Sequence, residues 1–241
     1  MSTISDNLQA VRQQIVFSTQ SSGRDAAEVN LLAVSKTFGV EAVLDAAMAG
    51  QRAFGENYLQ EAIDKIAAVK RLAPDLVLEW HFIGPIQRNK TRLIAENFSW
   101  VHAVDRLIIA ERLSEQRPGH LPPLNVCLQV NISDESSKSG VPLNEAVALA
   151  KQIATLPHIR LRGLMAIPEP ETDLALQRVP YAALRQLQIQ LNQQGLMLDT
   201  LSMGMSADLT AAILEGSTLV RVGSAIFGKR DYANHDSSNA S

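Results

Sequence analysis

The sequence predicts an α/β fold: a single (β/α)8 TIM-type barrel, with one extra helix in front. Two observations carry this. Eight short apolar segments are spread through 241 residues, and helical periodicity fills the seven gaps between them. Such alternation argues for a parallel sheet. Eight units in a chain of this length favour closure into a barrel, with an open doubly wound sheet as the alternative. No internal repeat, low-complexity tract or long linker divides the chain, so residues 1–241 are read as one domain.

Ile4, Leu8, Val11, Ile15 and Val16 recur at three- and four-residue steps, which predicts an amphipathic leading helix over 3–20, ended by Ser21-Ser22-Gly23. Leu31-Leu32-Ala33-Val34-Ser35 is a short apolar run and reads as the first buried strand, with Lys36 at its C-terminal end. A helix over 40–49 stops at Gly50. Residues 52–55 form a second strand, which exits through Glu56-Asn57-Tyr58 into a helix over 58–72. The third strand, 79–83, leaves through Gly84-Pro85 into a helix over 86–97; the fourth, 100–104, leads to a helix over 106–116. After a proline-rich connection come strand 125–131, a polar loop over 133–140 and a helix over 143–156. Strand 159–167, a long helix over 175–194, strand 200–203, a short helix near 207–214 and strand 218–222 complete the series. The eighth helix slot is short, so the leading helix is expected to cover that side. The tail from Asp231 is polar and expected to be mobile.

Composition narrows the function classes. Lys and Arg total 22 against 25 Asp and Glu, a net charge of −3, so no bulk positive field points to nucleic acid. No apolar run reaches membrane-span length, and the N-terminus lacks a signal-peptide core, so a cytoplasmic location is expected. Cys127 is the sole cysteine and sits between Val126 and Leu128, as a small core residue would. The five histidines form no spaced metal motif.

Barrel active sites lie at the C-terminal strand ends. Those ends supply Lys36, Glu56-Asn57, His81 with Gly84, Asn131, Met165, Ser202 to Ser206 and Arg221 to Ser224. A lysine at a strand end is half withdrawn from water, and its neutral amine is the form that attacks a carbonyl; the plain alternative is a lysine that snorkels to solvent. Met203-Gly204-Met205-Ser206 and Gly223-Ser224 are small-residue exits where backbone N–H groups can approach an anion, aided by a following helix start. Arg221 points opposite to Val220 and Val222 and so faces the barrel interior, either in an ion pair with Glu56 or Glu79 or against a ligand. One ligand suits all three features. Pyridoxal 5′-phosphate has an aldehyde for Lys36, a phosphate for the glycine–serine exits and a ring nitrogen for Arg221.

The same residues carry a resemblance. Leu31 to Thr37, Phe54-Gly55-Glu56-Asn57-Tyr58, Glu79 to Gly84, Gln129 to Ile132 with Lys138-Ser139-Gly140, Arg162-Gly163-Leu164-Met165, Leu201 to Ser206 and Val220 to Gly223 resemble the pyridoxal phosphate homeostasis protein family. That family is related to the alanine racemase N-terminal barrel, and the matching segments span nearly all of residues 5–232. The resemblance implies a Schiff base (internal aldimine) on Lys36, Arg221 at the pyridine nitrogen, and Ser206, Gly223 and Ser224 on the phosphate. It also implies Asn57, His81 and Met165 around the ring. Each of these three has a plain structural alternative: a helix cap for Asn57, a bonded core group for His81 and packing for Met165. The family often has threonine at Ser224, and an acidic pair after Ser206 where this chain has Ala207-Asp208.

The implied function is an intracellular carrier and buffer of the cofactor (vitamin B6 homeostasis) with no catalysis of its own. The resemblance further implies a monomer, with pyridoxal-phosphate-dependent enzymes as conceivable recipients. The alternative is an amino-acid racemase, which needs an acid/base on both cofactor faces. None of Tyr58, Tyr181 and Tyr232 is an evident second base. A third reading is a Schiff-base aldolase or phosphosugar binder, which would not require Arg221.

Overall fold

The computed structural model describes residues 3–133 and 139–228. The tail expected to be mobile, Tyr232 and Lys138 lie outside the described residues. Eight strands are all parallel to their neighbours: β1 Asn30–Val34, β2 Ala53–Glu56, β3 Glu79–Phe82, β4 Trp100–Val104, β5 Leu124–Asn131, β6 Ile159–Met165, β7 Thr200–Ser202 and β8 Leu219–Val222. They follow chain order around the ring. β8 pairs back onto β1, with Leu32 opposite Arg221, so the sheet closes and the open alternative falls. A two-residue strand, Val141–Pro142, adds onto the end of β5.

Helices α1 Thr3–Ser21, α2 Val40–Met48, α3 Leu59–Leu72, α4 Thr91–Asn97, α5 Leu107–Gln116, α6 Leu143–Ala154, α7 Leu174–Gln193, α8 Leu209–Leu214 and α9 Ser224–Phe227 surround the strands. The apolar face of α1, with Leu8, Val11 and Ile15, packs onto α8 and α9 and covers the side that the short last helices leave open. Asn7 Nδ2 donates to the Ile226 carbonyl at 2.9 Å and ties the two ends of the barrel together.

Three boundaries differ from the pattern reading for local reasons. Pro85 lacks an N–H and biases its neighbour away from helix, so regular turns begin only at the 3-10 turn Arg88–Lys90 ahead of α4. β6 ends at Met165, and Ala166 and Ile167 lie outside regular structure ahead of Pro168. An additional 3-10 turn, Ala26–Glu28, is fixed by a capping box between Asp25 and Glu28.

Barrel interiors are usually filled by branched aliphatic side chains. Here four polar groups, His81, His102, Ser202 and Arg221, are buried inside, at most 4% exposed. Inward positions alternate along each strand, so Glu79 with His81, Trp100 with His102, Thr200 with Ser202 and Leu219 with Arg221 share the lumen side. The intervening residues Trp80, Phe82, Val101, Leu201, Val220 and Val222 join the apolar layer beneath the helices.

Candidate functional site

The C-terminal mouth holds a cavity of about 660 Å³, the size range of small-ligand sites. Lys36, Asn57, Ser206, Arg221, Gly223 and Ser224 all line it, with Val34, Ile83, Ile167 and Met205 as apolar wall. Six of the eight residues singled out in the sequence thus meet in one place. Met165 is buried in the core and His81 lies deeper in the lumen; neither lines this cavity.

Lys36 leaves β1 on a braced turn. Ser35 N–H donates to the Gly55 carbonyl at 3.0 Å, and Ser35 Oγ donates to Glu56 Oε1 at 2.6 Å. Lys65 Nζ, delivered from α3, donates to the Ser35 carbonyl (2.8 Å), Glu56 Oε1 (2.6 Å) and Glu61 Oε1 (3.0 Å). Glu61 Oε1 also accepts the Thr37 N–H at 2.6 Å. Thr37 has φ +69°, a left-handed conformation that a β-branched residue rarely adopts. Such strain costs about 1–3 kcal/mol and persists only where the surroundings hold it, as this cluster does. Burial holds the Glu56 carboxyl above its usual range despite the opposing Lys65 and Ser35.

Asn57 continues from β2. Its Oδ1 is buried and without a hydrogen-bond partner among the described residues. The N-cap of α3 is Tyr58, with no side-chain cap bond, so Asn57 is no cap. Its backbone is pressed against Gly84, where a Cβ would strike the Asn57 carbonyl.

Arg221 enters from β8. Nη1 donates to the Ser202 carbonyl and to Ser202 Oγ (2.7 Å), and Nη2 donates to the Ala166 carbonyl at 3.0 Å. No ion pair with Glu56 forms, because Glu56 is engaged by Lys65. Glu79 is linked to Arg221 through His81, His102 and Ser202. The opposite wall is the β7–α8 loop. Gly204 there has φ +94°, and a Cβ on it would strike Ala212. Asp208, the acid kept after Ser206, braces this loop: Oδ1 accepts the Met205 N–H at 2.6 Å and Oδ2 accepts the buried Tyr181 hydroxyl at 2.7 Å. α9 starts at Ser224, so its leading N–H groups, like those of any helix, have no intrahelical acceptor.

Pattern reading missed Lys65, Glu61, Tyr181 and His102. Each of the four has at least one partner more than 20 residues away in sequence, and of those partners Asp208 alone, through the motif at Ser206, gave a signal. Among the described residues, no group of three or more His, Cys, Asp or Glu could hold a metal, and no helix is long and apolar enough to cross a membrane.

Residues 6–231 match the family model for the alanine racemase N-terminal domain. A pyridoxal phosphate homeostasis protein of Pseudomonas aeruginosa is 60% identical over 232 residues, covering 96% of this chain and 98% of that protein. The Escherichia coli protein of the same name is 52% identical over 97% of this chain and 99% of its own. PipY of Synechococcus elongatus, solved with PLP bound, is 36% identical with a TM-score of 0.82 over 93% of this chain and 100% of that one. With matches of this identity along nearly its whole length, the chain belongs to the pyridoxal phosphate homeostasis protein family, built on the alanine racemase N-terminal barrel.

Proposed function

We propose that this chain binds pyridoxal 5′-phosphate in the C-terminal cavity, attaches it covalently through Lys36, and acts in cofactor homeostasis as a carrier with no catalysis of its own. One observation carries the reading: Lys36, Arg221, Ser206 and Ser224 line a single cavity with Asn57, whose Oδ1 has no hydrogen-bond partner among the described residues. The family membership supplies the cofactor's identity, and the residues present fit it. When bound, the cofactor supplies an aldehyde that condenses reversibly with an amine, releasing one water.

The chain's own residues would divide the work. The Ser35–Glu56–Lys65–Glu61–Thr37 cluster fixes where Lys36 Nζ emerges. Ser206, Gly223 and Ser224 would hold the phosphate through hydroxyls and backbone N–H groups. Arg221 is donor-only and stays charged, so it would hydrogen-bond an unprotonated ring nitrogen and disfavour its protonation. That weakens the ring as an electron sink, which favours storage over racemisation. Of the tyrosines described, Tyr58 is exposed at the start of α3 and Tyr181 is bonded to Asp208; neither lines the cavity. This arrangement supports a carrier over a two-base racemase. A monomer and transfer to recipient enzymes are parts of the same proposal.

The test is reductive trapping. Protein incubated with the cofactor should show a new visible or near-ultraviolet band. Borohydride should then fix the added mass on the peptide containing Lys36, and Lys36→Ala should lose it. An adduct on Lys65 or Lys90 instead would overturn the site, and conversion of L- to D-alanine at enzymatic rates would overturn the carrier reading.

A further inference from the structure

The polar groups inside the barrel form one line from mouth to mouth. Arg221 Nη1 meets Ser202 Oγ at 2.7 Å, and Ser202 Oγ meets His102 Nδ1 at 2.8 Å. His102 Nε2 meets His81 Nδ1 at 2.9 Å, and His81 Nε2 meets Glu79 Oε1 at 2.8 Å. The line ends in a second cavity of about 780 Å³ at the N-terminal mouth, lined in part by Glu79, His81, Trp100, Arg162 and Asp199. The Glu79 side chain is half exposed there, while both histidines are essentially inaccessible.

The two ends, with one proton on each imidazole, set the direction of every bond between them. Guanidinium only donates and an ionised carboxylate only accepts. Ser202 Oγ accepts from Arg221, and with a single proton on each ring, counted from Glu79 inward, it donates to His102 Nδ1. His102 then donates from Nε2 to His81 Nδ1, and His81 donates from Nε2 to Glu79. In this arrangement each link of the line has one donor and one acceptor, and both histidines are neutral Nε2–H tautomers. Charging His81 would reverse its bond to His102, which would then donate to Ser202. The serine oxygen would face two donors, and its own proton would lose the acceptor it has in this line. Burial lowers the proton affinity of both rings, most strongly for His102, in agreement with the neutral pattern. Glu79 sits below the usual carboxylate range through its bond to His81.

We propose that Glu79, His81, His102 and Ser202 are positioning residues that form a directed hydrogen-bond chain, orienting the Arg221 guanidinium in the ligand cavity and coupling it to the charge on Glu79 at the opposite mouth. The part that concerns the cofactor rests on the binding reading above; the direction of the chain does not. Whatever neutralises Glu79 removes the constraint at one end. An amide there can donate as well as accept, and the line can then run either way.

Long-range 1H–15N spectra of the histidine-labelled protein without cofactor distinguish the two neutral tautomers. The wild-type protein should show His81 and His102 as Nε2–H at pH 7.5. Glu79→Gln, isosteric and at a half-exposed strand end, should shift the ring nitrogens of His102, which residue 79 does not touch. A wild-type Nδ1–H tautomer at either ring, or an unmoved His102 in Glu79→Gln, would overturn the proposal. In cofactor-loaded protein, Glu79→Gln should also shift the pH titration of the bound absorbance band, and this shift should vanish in the Ser202→Ala background, where the chain is cut. An equal shift in both backgrounds would mean that Glu79 acts through space and would overturn the coupling. Absence of any band in wild-type protein would instead sink the binding reading and leave the tautomer result standing.

Discussion

Replacing Lys65 by methionine keeps the aliphatic stem and removes the ammonium that three oxygens share. Glu56 is fully buried, and among the described residues its Oε2 already lacks a partner. Leaving one member of a buried pair uncompensated costs about 3–5 kcal/mol. Proton uptake caps that penalty. An unperturbed glutamate titrates near pH 4.3, so holding Glu56 neutral at pH 7 costs roughly 4 kcal/mol, and at pH 5 roughly 1 kcal/mol. The sign follows from the raised carboxyl of Glu56: stability is fullest below the unfolded-state pKa and is lost as pH rises through the folded one. Lys65→Met should therefore melt about 6–16 °C below wild type at pH 7, for a protein of this size. The gap should narrow at pH 5. Adding Glu56→Leu should restore much of the loss, because a paired ionic site replaced by apolar groups is often neutral. Melting curves of the three proteins at both pH values test this. A gap independent of pH, or none at pH 7, would mean that water reaches the pair and that the brace under Lys36 is not what the geometry indicates.

Arg221→Glu should melt well below Arg221→Gln, since a carboxylate there would face the Ser202 and Ala166 carbonyls; the difference should be on the order of 3 kcal/mol, and equal melting temperatures would place the side chain in solvent. Cys127 is buried and its thiol is pushed up to about 12 by desolvation. It should stay unmodified by a thiol reagent at pH 8 in the native protein and react fully in denaturant; rapid native labelling would refute its core placement.

The strand-and-helix series was legible because each strand is a short apolar run with a turn signal at its end. Lys36 and Arg221 stood out for the same reason: each is a charge placed on such a run. What the pattern could not give is which interior groups face one another. His81 lies between Trp80 and Phe82 and reads as core. Its partner His102 comes from a strand 21 positions further on, and Ser202, which bonds His102, lies 100 positions beyond that; only the closed ring brings them together across the lumen. Glu56 and Glu79 are equally plausible ion partners for Arg221 on paper. Lys65, a residue on an ordinary amphipathic helix, decides the matter by taking Glu56.

The register of β1 against β8 has a consequence for biosynthesis. Lys36 and Arg221 line one cavity because Leu32 lies beside Arg221, across the seam between the first strand and the last. Loops that long close late and slowly. A chain still emerging from the ribosome has Lys36 from the outset, gains Ser206 later, and receives Arg221, Gly223 and Ser224 only at the end. On the binding mode proposed above, a protein truncated before its last strand would keep Lys36, Asn57 and Ser206 but lack Arg221, Gly223 and Ser224, so the wall of the cavity is complete only in the finished molecule.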